Sequence, residues 1–242
     1  MGSYKPKYKA RLRKKEKIAN DTMAFYWEKP ENFTFKAGQY CDMTLIKPKM
    51  TDEEEKERAL SVASAPYEEN IMTATRMSDS TFKQVLKDFE VGTEVKFDEP
   101  RGEFTLHTRE TTPAVFIIGG IGITPVRSII AQATHDQLPH KLTLLYANKT
   151  PEDAAFMTDL KGFAEKNPNF SFVPVMTHAN PSGWSGESGL IDADMIKRYV
   201  SDSSAPIYYL CGPPGMVKDM RKILMEIGAD EDNIRAEEFK GY

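Results

Sequence analysis

Two turns in the sequence bring together residues able to hold an anionic ligand. Gly119-Gly120-Ile121-Gly122-Ile123-Thr124-Pro125 follows the apolar run 115–118, so bare backbone ends a buried strand just before a helical pattern. Thr124 is a reasonable N-cap, and Pro125 suits the first helical position, where a missing N–H costs nothing. The free amides and partial positive charge of such a helix start suit a pyrophosphate. Pro125 stands where the third glycine of G-x-G-x-x-G would fall. By itself, then, the turn reads equally as a dinucleotide cradle or as a tight strand-to-helix turn. A second turn, Gly212-Pro213-Pro214-Gly215, ends the apolar run 207–211 and precedes a helical stripe of Met216, Met220, Ile223, Leu224 and Ile227. Cys211 would lie at the same sheet edge as Gly120, either as a small apolar filler or as a thiol beside a ligand.

These turns need a parallel sheet to position them, and the second half of the chain has that pattern. Continuous apolar runs at 115–118, 142–147, 172–176 and 207–211 alternate with helical periodicities at 125–133, 151–166, 192–199 and 214–227. That alternation marks a doubly wound α/β sheet covered on both faces. The first half reads as antiparallel β, with strands expected at 8–17, 22–28, 39–46, 59–64, 71–77, 94–98 and 104–108. One helix interrupts it. Phe82, Val85, Leu86 and Phe89 recur at helical spacing, and Ser80 or Thr81 can cap the start. The expected organisation is a β-barrel domain over 1–109 and an α/β domain over 113–242. The acidic stretch 51–57 reads as a solvated loop or short helix.

The chain has 242 residues, 40% apolar and 28% charged, with a formal net charge of −4. That balance suits a folded protein with its own core and argues against nucleic acid as a partner. Two isolated cysteines, Cys41 and Cys211, provide no iron–sulfur or zinc framework, and the four histidines show no ligand spacing, so no metal site is expected. No apolar run is long enough to span a bilayer, and the start MGSYKPKYK lacks a signal-peptide core, so a cytoplasmic protein is expected.

The ordered set of motifs resembles the ferredoxin–NADP reductase-like flavoproteins. GGIGITP followed by Cys211-Gly212-Pro213-Pro214-Gly215-Met216 is similar to that family's pyridine-nucleotide domain. Phe35-Lys36-Ala37-Gly38-Gln39-Tyr40, the run from Arg58 through Ser61 and Ser64 to Pro66, and Pro100-Arg101-Gly102-Glu103-Phe104 resemble its flavin-barrel motifs. The resemblance implies an FAD-dependent enzyme (FMN less so) that uses NADH or NADPH as substrate. It implies Arg58 on the flavin phosphate, Ser80 and Thr81 at a helix start beside it, Leu60 and Ser61 against the flavin ring, and Ser64 in the same motif. It places Gly119, Gly120, Gly122, Thr124 and Pro125 under the nicotinamide nucleotide, with Cys211, Gly212 and Pro213 near its reacting end. Ser61, Cys211 and Phe239 are the candidates nearest the chemistry. Phe239, with Tyr242 second, is the aromatic expected to cover the flavin where nicotinamide must land; Glu238 is a polar neighbour without an assigned role. Leu60 stands where the family usually has Tyr, which removes a hydroxyl from the flavin site. Asn148 and Lys149, after the second strand of the α/β half, settle neither nucleotide, and the expectation is NADH.

Electrons must leave to an external carrier protein, such as a ferredoxin, flavodoxin or partner subunit, or to a small-molecule acceptor. The alternative is a non-catalytic flavin-binding or nucleotide-sensing subunit. Lys5, Lys7, Lys9, Arg11 and Arg13 share one face of the first strand, read either as a dock for an acidic carrier or as a charged guard on an edge strand. The sequence sets no oligomeric state.

Overall fold

The computed structural model describes residues 8–46, 56–178 and 183–239. Six strands build the first half: β1 (Tyr8–Ala19), β2 (Thr22–Glu28), β3 (Tyr40–Leu45), β4 (Glu57–Ser61), β5 (Asn70–Arg76) and, after helix α1 (Thr81–Asp88), β6 (Glu94–Phe97). They form one antiparallel sheet in the order β4-β3-β6-β1-β2-β5. Its concave face buries Leu12, Phe25, Trp27, Met43 and Phe97, with Phe82 and Leu86 of α1 packed against them. Ser80 caps α1, its hydroxyl accepting from the Lys83 amide at 3.4 Å.

The second half runs β7 (Ala114–Gly119), α2 (Ile123–His135), β8 (Leu142–Asn148), α3 (Met157–Lys166), β9 (Phe170–Met176), β10 (Glu187–Ser188), α4 (Ala193–Tyr199), β11 (Ile207–Gly212), α5 (Pro214–Glu226) and β12 (Ile234–Glu238). The sheet is parallel, in the order β10-β9-β8-β7-β11-β12. From β7 the chain winds outward through β8 and β9, then returns to lay β11 on the other side of β7. The carboxyl ends of β7 and β11 therefore form the switch point, where open α/β sheets take their ligands. The two expected fold classes are both present.

Three expected elements differ. Residues 104–108 form no strand. Their backbone is held by side chains instead: the Thr105 carbonyl accepts from Tyr209 Oη (3.1 Å) and Arg235 Nη1 (2.9 Å), and the His107 amide donates to Tyr209 Oη (2.9 Å). Buried backbone groups need partners but not a ladder. The expected helix over 151–166 breaks into a 3₁₀ turn at Pro151–Asp153 and α3. Asp153 is drawn into a capping box with Thr150, and Phe156 takes a left-handed φ of 61°. Thr124 is not an N-cap. A 3₁₀ turn over Gly120–Gly122 advances the helix start to Ile123, and the Thr124 hydroxyl donates to the Ile121 carbonyl at 3.1 Å. Pro125 still falls in the first turn, where no amide is needed.

β1 lies between β6 and β2, so it is not an edge strand and the charged-guard alternative falls. Lys9, Arg11 and Arg13 are exposed as the alternation requires; Arg11 pairs with Glu94 (3.1 Å) and Arg13 with Glu28 (2.9 Å). Lys5, Lys7 and the acidic residues 51–55 lie outside the described residues.

Candidate functional site

The two halves share a continuous apolar seam. Ala63, Met72, Ala74 and Phe104 from the barrel side pack into one cluster with Ile123, Val126 and Ile129 of α2. Along this seam opens a cleft of about 680 Å³, lined from both domains. The barrel side contributes Tyr40, Arg58, Leu60, Ser61, Arg76 and Lys83; the α/β side contributes Ile121, Thr124, Glu237, Glu238 and Phe239. The strand order explains the barrel set. β4 and β5 are the ends of the six-stranded order, so Arg58, Leu60 and Ser61 of one and Arg76 of the other close on the same opening. Tyr40 sits directly across from Ser61 in the β3–β4 ladder.

One end of the cleft is strongly cationic. Arg58, Arg76 and Lys83 line it together, and among the described residues none of the three has a carboxylate ion-pair partner. Burial, then the charges of Arg58 and Arg76, hold the Lys83 ammonium below its ordinary pKa. Three mutually repelling cations around an open space fit a bound phosphate or diphosphate, which would relieve the repulsion. The amides of α1 beside Ser80 add donors at the same end. Arg58 also lies over the Phe82 ring at 5.6 Å, which fixes its stem.

On the α/β side Ile121, Thr124 and the tail line the cleft, and the two glycine turns lie beneath them. The turns pack directly on each other. A Cβ on Gly122 would meet the Cys211 carbonyl at 2.6 Å, and one on Gly119 would meet Met216 Sδ at 2.5 Å. A Cβ on Gly212, whose φ is 156°, would meet the Gly119 amide nitrogen at 3.2 Å. The Gly120 carbonyl accepts from Tyr146 Oη at 3.1 Å. Bare backbone is thus needed first for the approach of β7 and β11 and only then for a ligand above them. The Phe239 amide donates to the Gly212 carbonyl at 3.1 Å, which ties the tail aromatic to the same turn.

Of the residues singled out in the sequence, Arg58, Leu60, Ser61, Ser80, Thr124 and Phe239 line the cleft together. Gly119, Gly120, Gly122, Pro125, Gly212 and Pro213 form the turns beneath it without lining it. Thr81 is exposed, one residue past the Ser80 cap, and does not line the cleft. Ser64 departs from its expected place. It is buried, its hydroxyl accepts from the Met72 amide at 2.9 Å, and its carbonyl accepts from Ser128 Oγ at 2.7 Å, so it is a framework residue. Cys211 is fully buried, and burial, with Glu237 beside it, keeps its thiol well above the ordinary range. Tyr242 lies outside the described residues.

Sequence reasoning left Arg76, Lys83 and Glu237 without roles. Their signal is positional: Arg76 ends an alternating strand, and Lys83 sits one turn beyond a capped helix start. Glu237 is the ladder partner of Cys211 on β12. It, rather than Glu238, is the glutamate held in the seam: burial pushes its carboxyl from the ordinary 4.5 up to about 7. A carboxyl so raised favours the folded state at low pH, and that contribution is lost as pH rises through about 7. Stability of the parent protein is therefore expected to fall between about 4.5 and 7 relative to Glu237→Gln, by on the order of 2 kcal/mol. Parallel chemical-denaturation midpoints across that range check it, and two superimposable profiles would remove the buried charge from the account.

A flavin-type barrel joined to a doubly wound nucleotide domain, with one cleft on the seam, defines a class of two-domain oxidoreductase folds. Comparison with known proteins agrees. Residues 116–222 match the oxidoreductase NAD-binding domain. The chain is 32% identical to NADH-cytochrome b5 reductase 1 of Mortierella alpina over 152 residues, covering 62% of this chain and 51% of that one. It is 26% identical to ferredoxin–NADP reductase B of Sorangium cellulosum over 215 residues, covering 86% of each. The fold matches the crystal structure of a ferredoxin NADP+ reductase from Neisseria gonorrhoeae with a TM-score of 0.79 and 23% identity, over 96% of this chain and 98% of that one. The chain is thus similar in sequence and in fold to ferredoxin–NADP reductase-like proteins, with the oxidoreductase NAD-binding domain in its second half. It spans about half the length of several of the curated relatives it matches.

Proposed function

We propose that the chain is an FAD-dependent NAD(P)H oxidoreductase that moves electrons between a nicotinamide nucleotide and an external one-electron carrier. The observation that carries this reading is the seam cleft, where Arg58, Arg76 and Lys83 supply an unneutralised anion site and Thr124 and Phe239 enter from the nucleotide domain. The gonococcal structure of the same fold holds FAD and NADP. Three cations and the start of α1 suit the two phosphates of FAD better than the one of FMN. Tyr40 and Leu60 form apolar walls for the ring, and the Ser61 hydroxyl offers a hydrogen bond at its edge. FAD, when bound, supplies the ability to accept a hydride and release electrons one at a time.

The chain's own task is to align and to exclude water. The turns at 119–122 and 212–213 carry the nicotinamide nucleotide across the switch point, with Thr124 and Pro125 at the helix start beneath its phosphates. Phe239 occupies the apolar space that the pyridine ring must enter, and so acts as a displaceable cover. Glu237 holds or gives up a proton near neutrality at the edge of the cleft. Cys211, sealed below the turn, shapes the floor.

The acceptor is a one-electron carrier protein or small molecule. The basic face of β1 is an unsuitable dock for direct transfer, because β1 contributes no lining to the cleft and lies away from β4 and β5 in the strand order. Among the described residues no helix is long and apolar enough to cross a membrane. Anaerobic titration of the flavin-loaded protein with NADH, and then NADPH, followed by flavin absorbance, tests the reading. Stoichiometric bleaching by one of them is expected. Bound flavin that neither nucleotide bleaches would favour a non-catalytic subunit; protein that takes up no FAD would overturn the proposal.

A further inference from the structure

We propose that Arg127 is a positioning residue for hydride transfer, setting the distance and angle between the strand end that holds the flavin and the turn that holds the nucleotide. The inference rests on the function proposed above, and it concerns a side chain that never touches the cleft.

Arg127 sits on α2, one helical turn past Thr124, so it shares a helix face with a residue that lines the cleft. Its side chain is only 8% exposed. Nη1 donates across the seam to the Ala63 carbonyl (3.3 Å) and to the Glu68 carboxylate. Nε and Nη2 donate to Asp159 of α3, at 3.1 and 2.8 Å. The guanidinium lies 5.9 Å from the Phe156 ring and 5.5 Å from the Phe163 ring, on the helix that supplies Asp159. The next residue repeats the link: Ser128 Oγ donates to the Ser64 carbonyl at 2.7 Å. Ala63 and Ser64 follow Ser61 two and three residues on, just behind the barrel-side wall of the cleft. Two adjacent residues of the nucleotide-side helix thus grip two adjacent carbonyls of the segment that follows β4.

The seam has little need of this grip for cohesion. Ala63, Met72 and Phe104 already pack into Ile123, Val126 and Ile129, and apolar contact of that kind is non-directional. It holds the domains together but leaves small sliding displacements cheap. A planar fork bound to a carbonyl and two carboxylates permits one arrangement, which is where a buried ion pair is of more use than in adding stability. Hydride donor and acceptor must sit about 3–3.5 Å apart, and a displacement of about 1 Å costs roughly a hundredfold in rate.

The experiment compares parent, Arg127→Lys, Arg127→Met and Glu68→Gln proteins loaded with FAD. Flavin reduction by saturating NADH or NADPH is followed in stopped flow, alongside nucleotide affinity, thermal midpoint and reoxidation of the reduced flavin by ferricyanide. Reduction is expected to slow about tenfold or more in Arg127→Met and several-fold in Glu68→Gln. Nucleotide affinity and the ferricyanide step should stay within about threefold, and Arg127→Lys should recover only part of the loss. A purely structural clamp would lower thermal midpoints and flavin content while leaving the reduction rate of the loaded protein unchanged, and that result would overturn the inference. Glu68→Gln, which removes one charge and keeps the arginine, decides the matter if Arg127→Met does not fold: an unchanged rate rejects the positioning role. Should the parent protein itself resist reduction, the proposed function fails; a reduced parent with equally fast variants defeats only the role of Arg127.

Discussion

Arg58→Ala protein is expected to leave purification largely without flavin, with affinity for added FAD weakened about ten- to a hundredfold. The guanidinium is one of three cations that line the phosphate end of the cleft without a carboxylate partner among the described residues. A hydrogen bond to a charged group is worth about 1.5–3 kcal/mol, which converts to that range of affinity. Lys83→Ala should weaken binding less, since an ammonium meets a phosphate as a point charge and lacks the planar fork of donors of a guanidinium. Flavin absorbance per protein and a titration of the stripped protein with FAD measure both. Arg13→Ala is the control, because Arg13 is ion-paired with Glu28 on β1, away from the cleft. If Arg58→Ala retains full flavin and only Arg13→Ala loses it, the anion site has been put on the wrong face.

The second large effect concerns the tail. Removing 239–242 deletes Phe239, which lines the cleft and is tied through its amide to the Gly212 carbonyl at 3.1 Å. On the proposed function an incoming nicotinamide displaces that ring, and returning an aromatic side chain toward water costs about 1.5–3 kcal/mol. The truncated protein no longer bears this cost. Oxidised nucleotide should bind about tenfold tighter or more, and turnover should fall because product release slows. Binding titrations with NAD+ and NADP+, together with single-turnover and steady-state rates, separate the two effects. If affinity and both rates match those of the parent protein, Phe239 is an anchor for β12 and not a cover. Phe239→Tyr should retain the parent behaviour, since the same apolar area must move.

How much of this was legible beforehand differs between the domains. The parallel sheet could be read because its strands are buried on both faces and appear as unbroken apolar runs between helical periods. The barrel could be read from alternation and turn residues, with strand ends shifted by up to three residues. Residues 104–108 alternate like a strand yet find no ladder, because Tyr209 and Arg235, distant in sequence, supply the hydrogen bonds that a neighbouring strand would have given. Local pattern reports which face of a segment is apolar; it does not report what satisfies the backbone. The break before α3 has a similar cause: Asp153 donates no helix propensity once Thr150 and Asn20 hold its carboxylate.

The same division runs through the site. Types and spacing determined that glycines end two strands and that a helix begins beside each, and the resemblance carried by the ordered motifs grouped Arg58, Ser61 and Phe239, since short-range geometry and the order of motifs are written along the chain. Which side chains share a cavity was decided only by the way β4 and β5 close on each other and on β12. That closure joined Arg76 and Lys83 to Arg58, sent Ser64 into the framework, and left Glu237 half-buried and Glu238 exposed along the cleft. Distances between residues far apart in sequence depend on how the whole core packs, and no local window contains that information.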